Sequence, residues 1–188
     1  MLKYLGKEGK YVGITGFRNV EVSKLDELLK SRRGEEKRDV SVQFFNAELV
    51  ATWEHLYFAV LDALMAFRTK RNISRSLAVE FMLYASAQRQ IRKAIEVIGV
   101  KTGRSNIAIV VAGENRDAVE SIMSSISAIL HKEQDDQVLE FSPAKVRIIR
   151  RSFGITETEL NVVTERNDKE RSLVNLVIER MALLSTKR

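Results

Sequence analysis

Residues 107–112 read IAIVVA, six apolar side chains in a row, four of them β-branched. A run this short and this continuous is a strand buried on both faces, because a strand with one wet face would alternate. The period changes on either side of it. Upstream, residues 52–67 place Leu56, Val60, Leu61, Leu64 and Met65 at helical spacing. Downstream, Asn115 caps a helix over 116–131 that turns Val119, Ile122, Met123, Ile126 and Ile129 or Leu130 inward. One buried strand set between helices asks for partner strands, and two more are visible. Residues 11–18 (YVGITGFR) alternate and are rich in β formers, and residues 40–45 (VSVQFF) form a similar block.

The rest of the chain reads as helix and turn. Ser23 opens a short amphipathic helix over 23–30, and 31–39 is a charged loop. Asn46 can cap the next helix, which begins AELVA (residues 47–51). Ser74 or Ser76 starts a helix through Tyr84, with Leu77, Phe81 and Tyr84 on one face. Ser86 caps another, with Ile91, Ala94, Ile95 and Ile98 inward, and Gly99 ends it in the left-handed conformation. Residues 144–153 are helical, Thr156 and Glu159 make a capping box, and 167–170 form a turn. The last helix, about 171–184, carries Leu173, Leu176, Val177, Met181 and Leu184 at helical spacing. Three strands this far apart are too few for a doubly wound sheet. The expected fold is α/β in the α+β sense: a helix-rich single domain over residues 1–188, around a small mixed or antiparallel sheet of about three strands.

Composition removes several function classes. The 188 residues include no cysteine, which excludes disulfides, thiolate zinc sites and cysteine nucleophiles. The two histidines, His55 and His131, are far apart in sequence. Residues 1–10 carry four charges and no apolar run, so no signal peptide is read, and no stretch approaches the ~20 apolar residues of a membrane span. A cytoplasmic protein is expected. Gly6, Gly9, Gly13 and Gly16 match neither GxGxxG nor GxxxxGK[ST] and read as strand and turn glycines. No serine elbow and no distinctive carboxylate pair is present. The sequence therefore predicts no enzyme, cofactor, metal or small-molecule substrate.

The net charge of +6 is local. Between Asp62 and Glu96 lie Arg68, Lys70, Arg71, Arg75, Arg89, Arg92 and Lys93 against one acid, Glu80, and the remainder of the chain balances. Such an excess is either an anion-binding surface or a solvated basic face. The helix starts within it expose free backbone N–H groups, and Arg71, Arg75 and Arg89 beside them suit two-pronged phosphate contacts. Tyr84, Phe81 or Phe67 offers a ring on which an unpaired base could stack, or simply fills the core. A second cluster, Lys145, Arg147, Arg150 and Arg151, is followed by Glu157 and Glu159.

The segment of about 46–100 resembles a known family. Its residues Ala51, Thr52 and His55, then Ile73, Ser76 and Glu80, then Ser86, Arg89, Gln90, Ile91, Ala94, Ile95 and Gly99 are similar to the signature of the small kinase-binding subunit of KEOPS, called EKC in eukaryotes. The closing VIERMALLSTK (residues 177–187) is similar to that family's last helix and tail. Ala87 stands where the family has a glycine, which suggests that the position needs no left-handed backbone here. Arg75 is not a residue that the pattern requires.

The resemblance implies a non-catalytic subunit with two partners. One is the complex's small atypical kinase/ATPase; the other is tRNA, recruited through its single-stranded CCA end for threonylcarbamoyladenosine formation by a different subunit. On that basis RNA binding is assigned to Arg71, Asn72, Arg75, Arg89 and Arg92, with Lys70 as a weaker phosphate contact. Ser74 and Gln90 either meet sugar and base edges or cap helices. The kinase interface is assigned to Val177, Met181, Leu184 and Lys187, on a helix whose apolar face either docks in the partner or packs on its own core. Three alternatives remain: a kinase-regulating scaffold without RNA binding, a free-standing tRNA- or RNA-binding protein, and a small-molecule enzyme, for which the sequence offers no site.

Overall fold

The structure, a computed structural model, describes residues 1–23, 25, 40–164 and 168–186. Among these it forms four strands and seven helices: β1 (Leu2–Leu5), β2 (Lys10–Glu21), β3 (Val40–Asn46), α1 (Trp53–Arg68), α2 (Leu77–Ala85), α3 (Ile91–Ile98), β4 (Arg104–Gly113), α4 (Arg116–Leu130), α5 (Pro143–Phe153), α6 (Glu157–Val163) and α7 (Lys169–Ala182). The α+β expectation holds, and the sheet is wholly antiparallel in the order β1-β2-β4-β3. Most of the helix expected over 23–30, the loop 31–39 and part of the turn at 167–170 lie outside the described residues.

β4 runs through the middle of the sheet, which is why its sequence does not alternate. Ile107, Ile109 and Val111 point to one side, where Val119, Ile122, Met123, Ile126 and Leu130 of α4 cover them. Ala108, Val110 and Ala112 point to the other side and join Val12, Ile14 and Phe45 against α1, α2, α5 and α7. The result is three layers: one helix, the sheet, then a bed of helices.

β1 is the strand the sequence did not reveal. It pairs with β2 at the sheet edge, Leu2 opposite Gly13 and Leu5 opposite Lys10. Edge strands are often short because one side stays unpaired, and at four residues, Leu2–Leu5, β1 is too short to show a period. Gly16 lies inside β2 because a side chain there would collide with Val138 and the Asp135 carbonyl.

Candidate functional site

The site is built from two helix ends. Thr69 closes α1, and Lys70 follows in the left-handed conformation at φ 56°. The Lys70 N–H donates to the Phe67 carbonyl at 3.2 Å and the Arg71 N–H to the Ala66 carbonyl at 2.8 Å. This pair of back-directed bonds reverses the chain and brings Arg71 over the last turn of α1. α2 ends the same way. Ala87 has φ 53°, its N–H donates to Tyr84 O at 2.9 Å, and the Gln88 N–H donates to Leu83 O at 3.0 Å. Arg89 comes next.

Three readings of this region are corrected. Ala87 does adopt the left-handed backbone, at a cost of about 1 kcal/mol for a side chain with a Cβ. Ser86 closes α2, its hydroxyl donating to Leu83 O at 3.1 Å, and Gln90 holds the N-cap position of α3 instead. Gly99 is extended, at φ −66° and ψ 152°, and is needed because a Cβ there would strike the Ile95 carbonyl.

The loop between α1 and α2 is held from beneath. Glu80 is fully buried, and its carboxylate accepts the Ile73 N–H at 2.9 Å and the Ser74 N–H at 2.7 Å. Asn72 Nδ2 donates to Ser74 O at 2.9 Å, and the Ser76 N–H donates to Ser74 Oγ at 3.1 Å. Ser76 is the N-cap of α2. Asn72 and Ser74, assigned to RNA from sequence, thus shape the loop. His55 ties the other ends of the same two helices. Its Nδ1 accepts the Ala51 N–H at 3.2 Å, which leaves Nε2–H to donate to Ala85 O at 2.7 Å. Burial, chiefly, lowers its pKa to about 4, so it stays neutral as a structural clamp.

Between the two arginines lies a cavity of about 140 Å³, lined by Asp62, Met65, Ala66, Thr69, Arg71, Ile73, Tyr84, Arg89 and Leu184. One Arg89 Nη1–H donates to the Leu184 carbonyl at 3.3 Å, which ties the chain's C-terminal turn to the rim. Asp62 accepts no hydrogen bond and makes no ion pair among the described residues, and burial raises its pKa to about 6. The Tyr84 phenol is pushed up by burial and by the nearby carboxylates of Glu80 and Asp62, with Arg89 opposing. Tyr84 is 4% exposed and Phe81 fully buried, so these rings fill the core, and what the concave surface offers a ligand is its two cations and Asp62.

The structure sorts the sequence assignments. Arg71 and Arg89 meet at this cavity, and Tyr84 joins them. Lys70, Arg75, Gln90 and Arg92 are exposed outside its lining, and Arg92 pairs with Glu96 at 3.3 Å on an open face, a contact worth little. Val177, Met181 and Leu184 are turned into the chain's own core, so their side chains offer no docking surface; Lys187 lies outside the described residues. By contrast Ile91 and Ile95, read as inward, are 48% and 53% exposed, and Ala94 and Ile98 supply the buried face of α3. In the second basic cluster, Lys145 is buried and donates to the carbonyls of Val50, Val138 and Glu140, while Arg150 pairs with Glu157. Asp62 was missed. It bounded the basic stretch in sequence, yet folding places it inside the site.

Comparison with known proteins now bears on these features. The family model described as kinase binding protein CGI-121 matches residues 17–185. The chain belongs to the CGI-121 family. It is also 34% identical over 146 residues to a regulatory protein Cgi121 of Methanocaldococcus jannaschii, a match that covers 78% of this chain and 84% of the relative. The CGI-121 match agrees with the resemblance drawn from residues 46–100, and it spans β2 to the C-terminal turn, so the cavity sits wholly within family sequence.

Proposed function

We propose that this CGI-121 family member is a non-catalytic accessory subunit that binds the small atypical kinase of KEOPS and recruits tRNA through its CCA end for threonylcarbamoyladenosine formation. The observation that supports the RNA half is the meeting of Arg71, Arg89 and Tyr84 at one cavity inside the basic stretch. Two guanidinium groups suit phosphate; Tyr84 is only 4% exposed and belongs to the core, so it closes the cavity and does not offer a free face for stacking. The kinase half is supported by the family's description. With Val177, Met181 and Leu184 packed inward, we take Ile91 and Ile95 of α3 as the apolar contact to test first, among exposed apolar side chains that also include Tyr4, Trp53, Phe58 and Val162.

The test is a titration of the full chain with tRNA and with tRNA lacking CCA, at two salt concentrations, beside an Arg71→Ala/Arg89→Ala variant. Binding that needs the CCA end and both arginines, with a shallower salt slope in the variant, carries the reading. Equal binding of both tRNAs, or none, turns it to a kinase-regulating scaffold.

A further inference from the structure

We propose that Asp62 reads the sugar at the end of the bound strand: its carboxylate accepts the free 2′- and 3′-hydroxyls of the terminal nucleoside, so the site selects RNA with an intact cis-diol end. This rests on the RNA reading of the cavity and adds a specificity to it.

Asp62 lies on α1 and lines the same cavity as Arg71, Tyr84 and Arg89. A half-buried carboxylate usually finds a donor, because losing water without one is costly. This one has none among the described residues, and the loop N–H groups of Ile73 and Ser74 go to Glu80. It stands as an acceptor that no donor of the fold uses, on the wall of a hollow of about 140 Å³ that is open to water.

The donors that a CCA end can offer are few. Adenine presents an amino donor next to a ring-nitrogen acceptor, and cytosine does the same. Either edge gives an ionised carboxylate one bond and one repulsion. Phosphates carry no donor and belong with the arginines. The terminal ribose has two adjacent O–H donors, which match the two oxygens of one carboxylate. An acidic residue on ribose hydroxyls is the device that dinucleotide-binding folds use for the same sugar.

The protonation state separates this from base recognition. The titratable and charged groups that share the cavity with Asp62 are Arg71 from the loop after α1, Tyr84 from α2 and Arg89 from the loop after α2, with Leu184 closing it; the Glu80 carboxylate acts on Tyr84 from beneath the loop. Diol binding needs the ionised carboxylate, so affinity is full at neutral pH and falls as the medium is acidified through about pH 6. A protonated acid would instead match the donor–acceptor edge of adenine or cytosine, and affinity would rise on acidification.

The experiment measures binding of the full chain to three tRNAs: intact, ending in 3′-deoxyadenosine, and lacking CCA. Each is titrated at about pH 7.5 and about pH 5.5. We expect the deoxy end to bind about tenfold more weakly than the intact end at the higher pH, the loss of a charge-assisted hydrogen bond. Asp62→Asn should bind intact tRNA about as weakly as wild type binds the deoxy end, and its affinity should stay flat with pH. If CCA removal weakens binding while the deoxy end binds like the intact one, Asp62 does not read the diol and the RNA reading stands. Stronger binding at the lower pH overturns the diol in favour of a base edge. If tRNA lacking CCA binds as well as intact tRNA, the RNA reading falls and takes this inference with it. The deoxy-ended arm uses the wild-type protein, so no folding defect can confuse it.

Discussion

α3 and α7 look alike in sequence and behave as opposites in the fold. Each places apolar residues at three- and four-residue steps: Ile91, Ala94, Ile95 and Ile98 in one, Leu173, Leu176, Val177 and Met181 in the other. α7 buries all four of its residues, whereas α3 buries Ala94 and Ile98 and leaves both isoleucines of its first turns on the surface. Helical period reports that a face is apolar; it does not report what covers the face. What decides here is position. α7 lies across α1, α5 and α6, while α3 packs mainly on the end of α2. Of the two alternatives open for the α7 face, a partner or its own core, the core holds, and the α3 face read as inward is half open.

The largest effect that would sharpen this contrast is on α7. Val177→Asp buries a charge with no partner and should cost more than about 4 kcal/mol, read as loss of the cooperative urea transition. Next in size is the acid response of His55. Its folded pKa of about 4 lies below the ordinary 6.5, so the unfolded chain takes up the proton first. Stability is therefore full above about pH 6.5 and drains by about 3 kcal/mol as pH falls to about 4, a slope that His55→Leu should lack despite its lower stability at neutral pH. Asp62 has the opposite sign. Its folded pKa of about 6 lies above the ordinary 3.8, so the folded chain holds the proton longer and loses stability as pH rises between the two values. Asp62→Asn should then raise the melting temperature at neutral pH. Ala87→Gly relieves a left-handed Cβ and should add about 1 kcal/mol in chemical denaturation. The smallest stability change is expected on the open helix: Ile95→Asp should shift the urea midpoint by less than about 0.5 kcal/mol in equivalent energy, yet abolish capture of the kinase subunit. A large loss of stability in that variant would break the contrast between the two helices.

Much of the fold was legible because its strongest elements are locally consistent. The unbroken IAIVVA run carries the mark of a central strand, and α4 shows the cap and the period that it uses. β1 was not legible, since four residues, Leu2–Leu5, are too few to show alternation before the charged turn that follows. The turn at Ala87 was misread because a back-bonded helix end usually advertises itself with glycine, and here alanine bears the strain. Charge gave the region of the site but not its members: Arg71 and Arg89 belong to the basic stretch together with Lys70, Arg75 and Arg92, which lie outside the cavity. Asp62 was not legible, because in sequence it reads as ordinary balance to the basic stretch. Only the reversal after α1 turns that balance into a shared cavity.

Glu80 has a consequence for how fast a partner is caught. Because its carboxylate holds the backbone of Ile73 and Ser74 from inside the fold, the loop between the arginine-bearing turns is already shaped when a ligand arrives. The ordering entropy is spent during folding rather than at encounter. Capture of a charged strand is then governed by diffusion and long-range attraction, and ionic strength should set the association rate, while the residence time follows the contacts inside the cavity.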